Sequence, residues 1–419
     1  ATFNPTADTV NEGSETATIS ISSVSGAESA KGSTTSVTIT INEYALRAGT
    51  AFTEGSTSVQ NAIKAETQWT NVDYENSTSS VHPYEQMNIH KVQSFSDGTN
   101  NLTGVGQFIH IADFNCDTGH SIFSNKTIHN LDDGGSGEST FSAADSSNYH
   151  CQFVATMAAG DGTGDGDGSG ENLVSGVAPD ADLILSSIPN TSYPYTLDDF
   201  AADLDSARGY DAVASNNSWS LGDNTDGNPN ASYNVTEFQA FLDAYPGYTT
   251  NQLFAYITGN STSNASVTAS QSYITALNNF QNNGVIVFSS GNYNGESDVG
   301  VMAGLPTFYS QLAEAWLAVG LIDFTGSSVA GADEDDFKLW GNKCGSAKEY
   351  CVVADGFELN GGKYTSGGDS AWKINDSGSS YSAPMISGGI ALLAQAFPNH
   401  TPEQLTDRLL ASSNNAWFD

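Results

Sequence analysis

Basic residues are scarce in this sequence: 12 Lys and Arg stand against 48 Asp and Glu over 419 residues, a formal net charge of −36 at pH 7. A chain so anionic is repelled by phosphate, which argues against nucleic acid and anionic membrane surfaces as partners. Long apolar runs are lacking too, so no segment of the sequence reads as a membrane span. Cysteine is rare, and Cys116, Cys151, Cys344 and Cys351 include no CxxC pair, which removes the usual spacing of a zinc site. No internal repeat is found. No leader peptide opens the chain, which starts at Ala1 and is expected to be a processed form with a segment missing downstream. Aromatic residues, by contrast, are plentiful. Six Trp, 17 Tyr and 20 Phe supply the apolar surface that acidic disordered chains lack. A soluble, folded and strongly acidic protein is expected.

The even cysteine count fits an oxidising, extracellular setting, with four buried free thiols as the alternative. Cys344 and Cys351 close a short loop, KCGSAKEYC, that suits a local disulfide. Near the N-terminus, TATISISSVSG and TTSVTITINEY alternate β-branched and polar residues with period two, as half-buried strands do. SVQNAIKAETQWTNV predicts a short helix among polar loops. From Gly104 the texture changes: VGQFIHIADF is a near-continuous apolar run of the buried parallel-strand kind. Helix-like segments (HCQFVATMAAG, TLDDFAADLDSARGY, SYITALNNFQNNG) then alternate with strand-like ones (DADLILSSI, DAVASNN, VIVFSSGN). Residues 222–270 are a polar, Asn-rich insertion within this series. The alternation predicts an α/β fold, a mainly parallel doubly wound sheet with helices on both faces. The expected division is a β-rich extension and linker over 1–80, the remnant of a propeptide or an accessory segment, and one large α/β domain over 81–419.

Three chemically capable residues fall at strand ends or helix starts, where reactive groups gather in such sheets. Ser380, in GSSYSAPMISGGIALLAQAF, enters an apolar helix, where the positive helix end and free backbone N–H groups can meet a developing oxyanion. A plain helix cap is the alternative for this serine. Asp113 ends the strand QFIHIAD, where a buried carboxylate needs a partner; Asp117 is its rival. His150 opens a helix of small and apolar residues and can serve as a general base.

The order acid, base, nucleophile is that of subtilisin, and the surrounding motifs carry the resemblance further. GSSYSAP resembles the G-T-S-x-x-A-P of subtilisin-like serine peptidases, with Ser379 in place of Thr. HCQFVATMAAG resembles H-G-T-H-V-A-G-T-x-A, GVAPDADLI matches G-V-A-P-x-A, and VIVFSSGNYNG resembles V-V-V-A-A-G-N-x-G. The resemblance covers roughly residues 80–415. HPYEQMNIHKV and NKCGSAKEYCVVADG are similar to segments of autotransporter-type subtilases, in which the two matching cysteines are bridged.

The resemblance implies a peptidase acting on protein or peptide substrates through Asp113, His150 and Ser380, with Asn292 as side-chain donor to the oxyanion. It also implies a substrate cleft walled by Ser218, Trp219 and Ser220 on one side and by Ser289, Ser290 and Gly291 on the other. Departures surround the base: Cys151 and Gln152 replace Gly-Thr, Phe153 replaces a second histidine, and Thr156 stands where Gly is usual. Cys151 could bridge to Cys116 or stay a buried thiol. DGTGDGDGSGEN crowds Asp161, Asp165, Asp167 and Glu171 on a Gly-rich loop, a density of oxygen ligands that suits calcium; a solvated acidic loop is the alternative. No organic cofactor is indicated. The expectation is a secreted or cell-surface, monomeric serine endopeptidase. The alternatives are a catalytically impaired binding or adhesion module on the same fold, and a transpeptidase or cyclase.

Overall fold

The computed structural model describes residues 15–20, 36–41, 52–73, 81–113, 120–131, 149–162, 174–187, 197–222, 233–293, 295–326, 328, 336–363 and 371–413. Contacts divide the chain into two units, Ala1–Phe52 and Thr53–Asp419. In the first, β1 (Glu15–Ser20) and β2 (Ser36–Ile41) pair antiparallel, Glu15 opposite Ile41 and Ser20 opposite Ser36. The two period-two runs are these strands.

The contact division at 52/53 has a packing reason. Trp69 is buried and stacks on His82 at 5.2 Å, and Ser175 N–H donates to Gln68 O at 2.9 Å. Residues 53–73, with helices α1 (Thr57–Lys64) and α2 (Thr67–Thr70), therefore belong to the second unit. Two further short helices, α3 (Pro83–Gln86) and α4 (Ile89–Ser94), lead into the sheet.

The second unit then runs β3 (Phe108–Asp113), β4 (Ile128–Asn130), α5 (His150–Ala159), β5 (Asp182–Ser187), α6 (Leu197–Gly209) and β6 (Ala212–Asn217). It continues with α7 (Val235–Ala244), α8 (Thr250–Gly259), α9 (Asn264–Phe280), β7 (Val285–Ser289), β8 (Trp316–Phe324) and β9 (Phe337–Leu339). β10 (Cys351–Asp355), β11 (Leu359–Lys363), β12 (Ala371–Asp376), α10 (Ser379–Ala396) and α11 (Pro402–Ser412) complete it.

The main sheet has the order β10-β8-β7-β6-β3-β5-β4, with β9 added to β8. Every pairing in it is parallel except β8 with β9. The chain places β4 and β5 on one side of β3 and then β6, β7, β8 and β10 on the other, so the winding reverses at β3. In open α/β sheets the crevice at such a reversal, beyond the carboxyl ends of the strands, is where ligands bind. Asp113 is the last residue of β3.

Both faces of the sheet are covered. Ile286, Phe288, Trp316 and Ala318 share a core with residues of α6, α7, α8 and α9, as alternating strand residues on one face do. α5 and α10 pack on the sheet and on each other. Gly388 permits that closeness: a Cβ there would lie 2.8 Å from the Ala158 carbonyl oxygen. The described part of the Asn-rich insertion holds α7 and α8, each opened by a reciprocal capping box, Asn234 with Glu237 and Thr249 with Gln252.

Candidate active site

Asp113 and His150 are brought together. Asp113 is wholly buried at the end of β3, and its Oδ1 lies 2.7 Å from His150 Nδ1 across 37 residues of sequence. A carboxylate only accepts at that distance, so Nδ1 carries the proton and Nε2 presents its lone pair. The His150 side chain keeps 29% of its surface exposed, which leaves the ring reachable. Burial of the imidazole disfavours its charge, but the Asp113 carboxylate and its hydrogen bond outweigh that, with Asp376 adding to them. The His150 pKa is raised as a result.

Asp376 was not foreseen. Its Oδ2 accepts from Tyr381 Oη at 2.6 Å and from Tyr149 Oη at 3.0 Å. These tyrosines directly precede His150 and follow Ser380, and the Tyr381 ring lies 5.8 Å from the His150 ring. The carboxylate thus fastens the segment that holds His150 to the one that holds Ser380. Burial, and then the Asp376 charge, push the Tyr381 phenol above its ordinary range, so it remains a donor.

Ser380 lies in the first turn of α10, 8% exposed. Its N–H belongs to the orphan donors of a helix start. Its carbonyl would ordinarily bond the N–H four residues on, but that residue is Pro384, which has none. Ser218 fills the gap: its Oγ donates to Ser380 O at 2.8 Å, and Ser380 Oγ donates to Ser218 O at 3.3 Å. The proline and Ser218 act as one device that fixes the serine's backbone.

Asn292 follows β7. Its Oδ1 accepts from both the N–H and the hydroxyl of Ser379, at 2.8 and 2.7 Å. A backbone N–H can only donate, so the amide orientation is determined and Nδ2 points elsewhere. Ser379 Oγ in turn accepts from Gly291 N–H at 3.2 Å. The Ser379 hydroxyl therefore does a structural task here for which a hydroxyl, rather than a particular residue type, is needed.

The expected cleft walls are mostly buried. Trp219 packs into the core, 5.1 Å from Phe200 and 5.5 Å from Phe288. Ser218, Ser289 and Ser290 are buried, and Ser220 is partly exposed.

Cys344 and Cys351 form a disulfide. Cys151 is disulfide-bonded too, while Cys116, like Asp117, lies outside the described residues. Of the acidic loop, Asp161 is described and its Oδ2 already accepts from Asn125 N and Nδ2, at 3.1 and 3.3 Å. Asp165, Asp167 and Glu171 lie outside the described residues.

A second serine–histidine cluster lies inside the sheet. His110 has Nδ1 2.9 Å from Ser215 Oγ and Nε2 2.8 Å from Ser186 Oγ. All three are buried, and burial lowers the imidazole pKa to about 3. The cluster ties β3 to β6 and β5 where no substrate reaches, so it is a strap and not a rival site.

Asp113 and His150 thus meet at the winding reversal of the doubly wound sheet, and Ser380 lies in the first turn of α10, which packs on α5. The chain belongs to the Subtilase family, which it matches over residues 104–418. A stretch of 118 residues, 28% of the chain, is 30% identical to serotype-specific antigen 1 of Mannheimia haemolytica and spans 12% of that protein's length. Among solved structures, sphericase is 20% identical over 77% of this chain and 87% of its own, with a TM-score of 0.45. A cold adapted subtilisin-like serine proteinase is 19% identical over 78% and 89%, with a TM-score of 0.44. No described helix is long and apolar enough to cross a membrane.

Proposed function

We propose that the protein is a secreted serine endopeptidase in which Ser380 attacks the scissile carbonyl, with His150 as base and Asp113 as its orienting acid. The observation that carries the reading is the 2.7 Å contact between Asp113 and His150 Nδ1, which sets Nε2 as the proton acceptor. Ser380 Oγ turns its hydrogen from Ser218 O toward that nitrogen, bonds to the carbonyl carbon and gives up its proton. The imidazolium then returns the proton to the leaving amine, and water resolves the acyl-enzyme by the same route in reverse. Asn292 Nδ2 and the Ser380 N–H receive the oxyanion, since Asn292 is hydrogen-bonded to Ser379 in the first turn of α10 and the Ser380 N–H is among the orphan donors of that helix start.

Secretion is supported by the disulfides, by the acidic composition and by the likeness to a protein named as an antigen. The calcium reading rests on the sequence of residues 161–172 alone. It predicts a melting temperature that falls when calcium is chelated and recovers when calcium returns.

A phosphonate directed at active-site serines tests the catalytic reading. Covalent labelling of the folded protein, lost in Ser380→Ala, is expected. An unlabelled folded protein would instead favour a binding module on the peptidase fold. Cleavage within long peptides, rather than at their ends, separates endopeptidase from exopeptidase action by mass spectrometry.

A further inference from the structure

We propose that Asn342 is a positioning residue for Asn292, acting by gripping the backbone on both sides of it; this rests on the oxyanion role given to Asn292 above. Asn342 follows β9 and is wholly buried. Its N–H donates to the carbonyl of Gly291 at 3.1 Å, and its Oδ1 accepts from the N–H of Tyr293 at 3.0 Å. Those are the residues immediately before and after Asn292. Its Nδ2 donates to Asp298 O at 3.0 Å, and its own carbonyl accepts from Ser290 Oγ at 3.3 Å. The side chain and the two flanking peptide groups of Asn342 thus hold the turn that carries Asn292 at three points, Ser290, Gly291 and Tyr293, and tie it to Asp298.

The fit is specific to asparagine. Oδ1 faces a group that only donates and Nδ2 a group that only accepts, so the amide cannot be reversed. Aspartate would turn an oxygen toward the Asp298 carbonyl, alanine would offer neither group, and glutamine adds a carbon where there is no room. The amide lies where a Cβ of residue 291 would be, 2.6 Å from Oδ1, and that residue is Gly291 at φ +116°. The left-handed backbone and the close approach both call for glycine.

The grip has its own foundation. The Asp298 carboxylate accepts from Ser346 N at 2.8 Å, from Ser346 Oγ at 2.7 Å and from Thr236 Oγ1 at 3.1 Å. Ser346 lies within the loop closed by Cys344 and Cys351. Ser379 fixes the Asn292 amide from the other side, so the donor is held through its side chain by α10 and through its backbone by Asn342. A donor aimed at a developing charge loses its effect when it drifts, and a displacement of about 1 Å costs on the order of 100-fold in rate.

The test is a double-mutant cycle on the full chain with a peptide substrate, reading kcat and KM separately. Asn292→Ala is expected to lower kcat about 100- to 1,000-fold with KM little changed. Asn342→Ala is expected to lower kcat by about 10- to 100-fold, again with KM little changed. The double variant should fall no more than about twofold below Asn292→Ala alone, because a residue acting through Asn292 has nothing left to position. Asn342→Asp, which preserves shape, is read in the same way should the alanine variant not fold. Losses that multiply in the double variant, an effect on KM instead of kcat, or an unchanged kcat would each overturn the proposal. Should Asn292→Ala itself leave kcat intact, the oxyanion role fails first, and the two failures are thereby told apart.

Discussion

The ring of Phe153 lies 4.0 Å, centroid to centroid, from that of Tyr381. Phe153 occupies the position where the resemblance led one to expect a second histidine, one turn past His150 on α5. It is wholly buried, and Gly361 of β11 lies against it, since a Cβ there would come within 2.7 Å of the ring. An imidazole at this point would need polar partners, whereas a phenyl ring needs only contact. The departure therefore replaces a polar side chain by packing between the helix that carries the base and the helix that carries the nucleophile.

Phe153→Ala is accordingly expected to lower stability by about 3–5 kcal/mol, the range for emptying a buried aromatic site. Urea unfolding at neutral pH measures it. A change below about 1 kcal/mol would mean that the neighbouring rings close the space.

The raised His150 pKa fixes the sign of two pH effects. The base acts only when neutral, so kcat/KM rises as pH climbs through that raised value. The stability contributed by the imidazolium runs the other way. It is fully present below the unfolded value and is lost as pH rises through the folded one. Asp376→Asn removes a charge that favours the imidazolium, so the acid limb of the rate profile moves to lower pH. Asp113→Asn removes the charge and the orienting acceptor together, and costs about 10⁴-fold in kcat. A limb that stays in place in Asp376→Asn would show that the carboxylate acts only as a fastening.

Asp355 offers a stability measurement independent of catalysis. It is buried at the end of β10, where its oxygens accept from Gln86 Nε2, Phe324 N and Phe357 N. Burial raises its pKa to about 7, against the pull of those bonds. A folded value above the unfolded one means that its stabilising contribution is lost as pH rises from about 4 to about 7, at up to about 1.4 kcal/mol per unit. The difference in unfolding free energy between wild type and Asp355→Asn should change across that window. A difference constant from pH 4 to pH 8 would refute the assignment.

Replacing Cys344 and Cys351 together by serine opens the loop between them. For so short a loop the chain-entropy argument gives a loss of roughly 2–3 kcal/mol, measurable as a lower melting temperature. Equal melting of the oxidised and the doubly substituted protein would show that Ser346 and Asp298 hold the loop without the bridge.

Local signals in the sequence located the parts that hold themselves together locally. FIHIAD is apolar apart from His110 up to its final carboxylate, and a buried strand has that pattern. The helix starts at His150 and Ser380 were similarly legible. The residues that escaped notice are those whose roles depend on distant partners. Asp376 is defined by a tyrosine 227 residues away, and Asn342 by a turn about 50 residues earlier. No spacing rule marks such pairs. The helices of the Asn-rich insertion are a different case. Their capping boxes, Asn234-x-x-Glu237 and Thr249-x-x-Gln252, are sequence signatures, but composition overshadowed them. Polar loops likewise hid Trp69, whose partners His82 and Tyr84 lie beyond residue 80.

The position of α10 late in the chain and central in the packing has a consequence for synthesis. Ser380 is held by Ser218, 162 residues earlier, and farther along the same helix Gln395 Oε1 receives the N–H groups of Thr103 and Gly104 across nearly 300 residues. Contacts of such range form late, because each must close a long loop before it contributes anything. On the proposed reading, a ribosome-bound chain that has Asp113 and His150 but not yet this helix lacks Ser380, and with it the nucleophile, until nearly all of the sheet has been made.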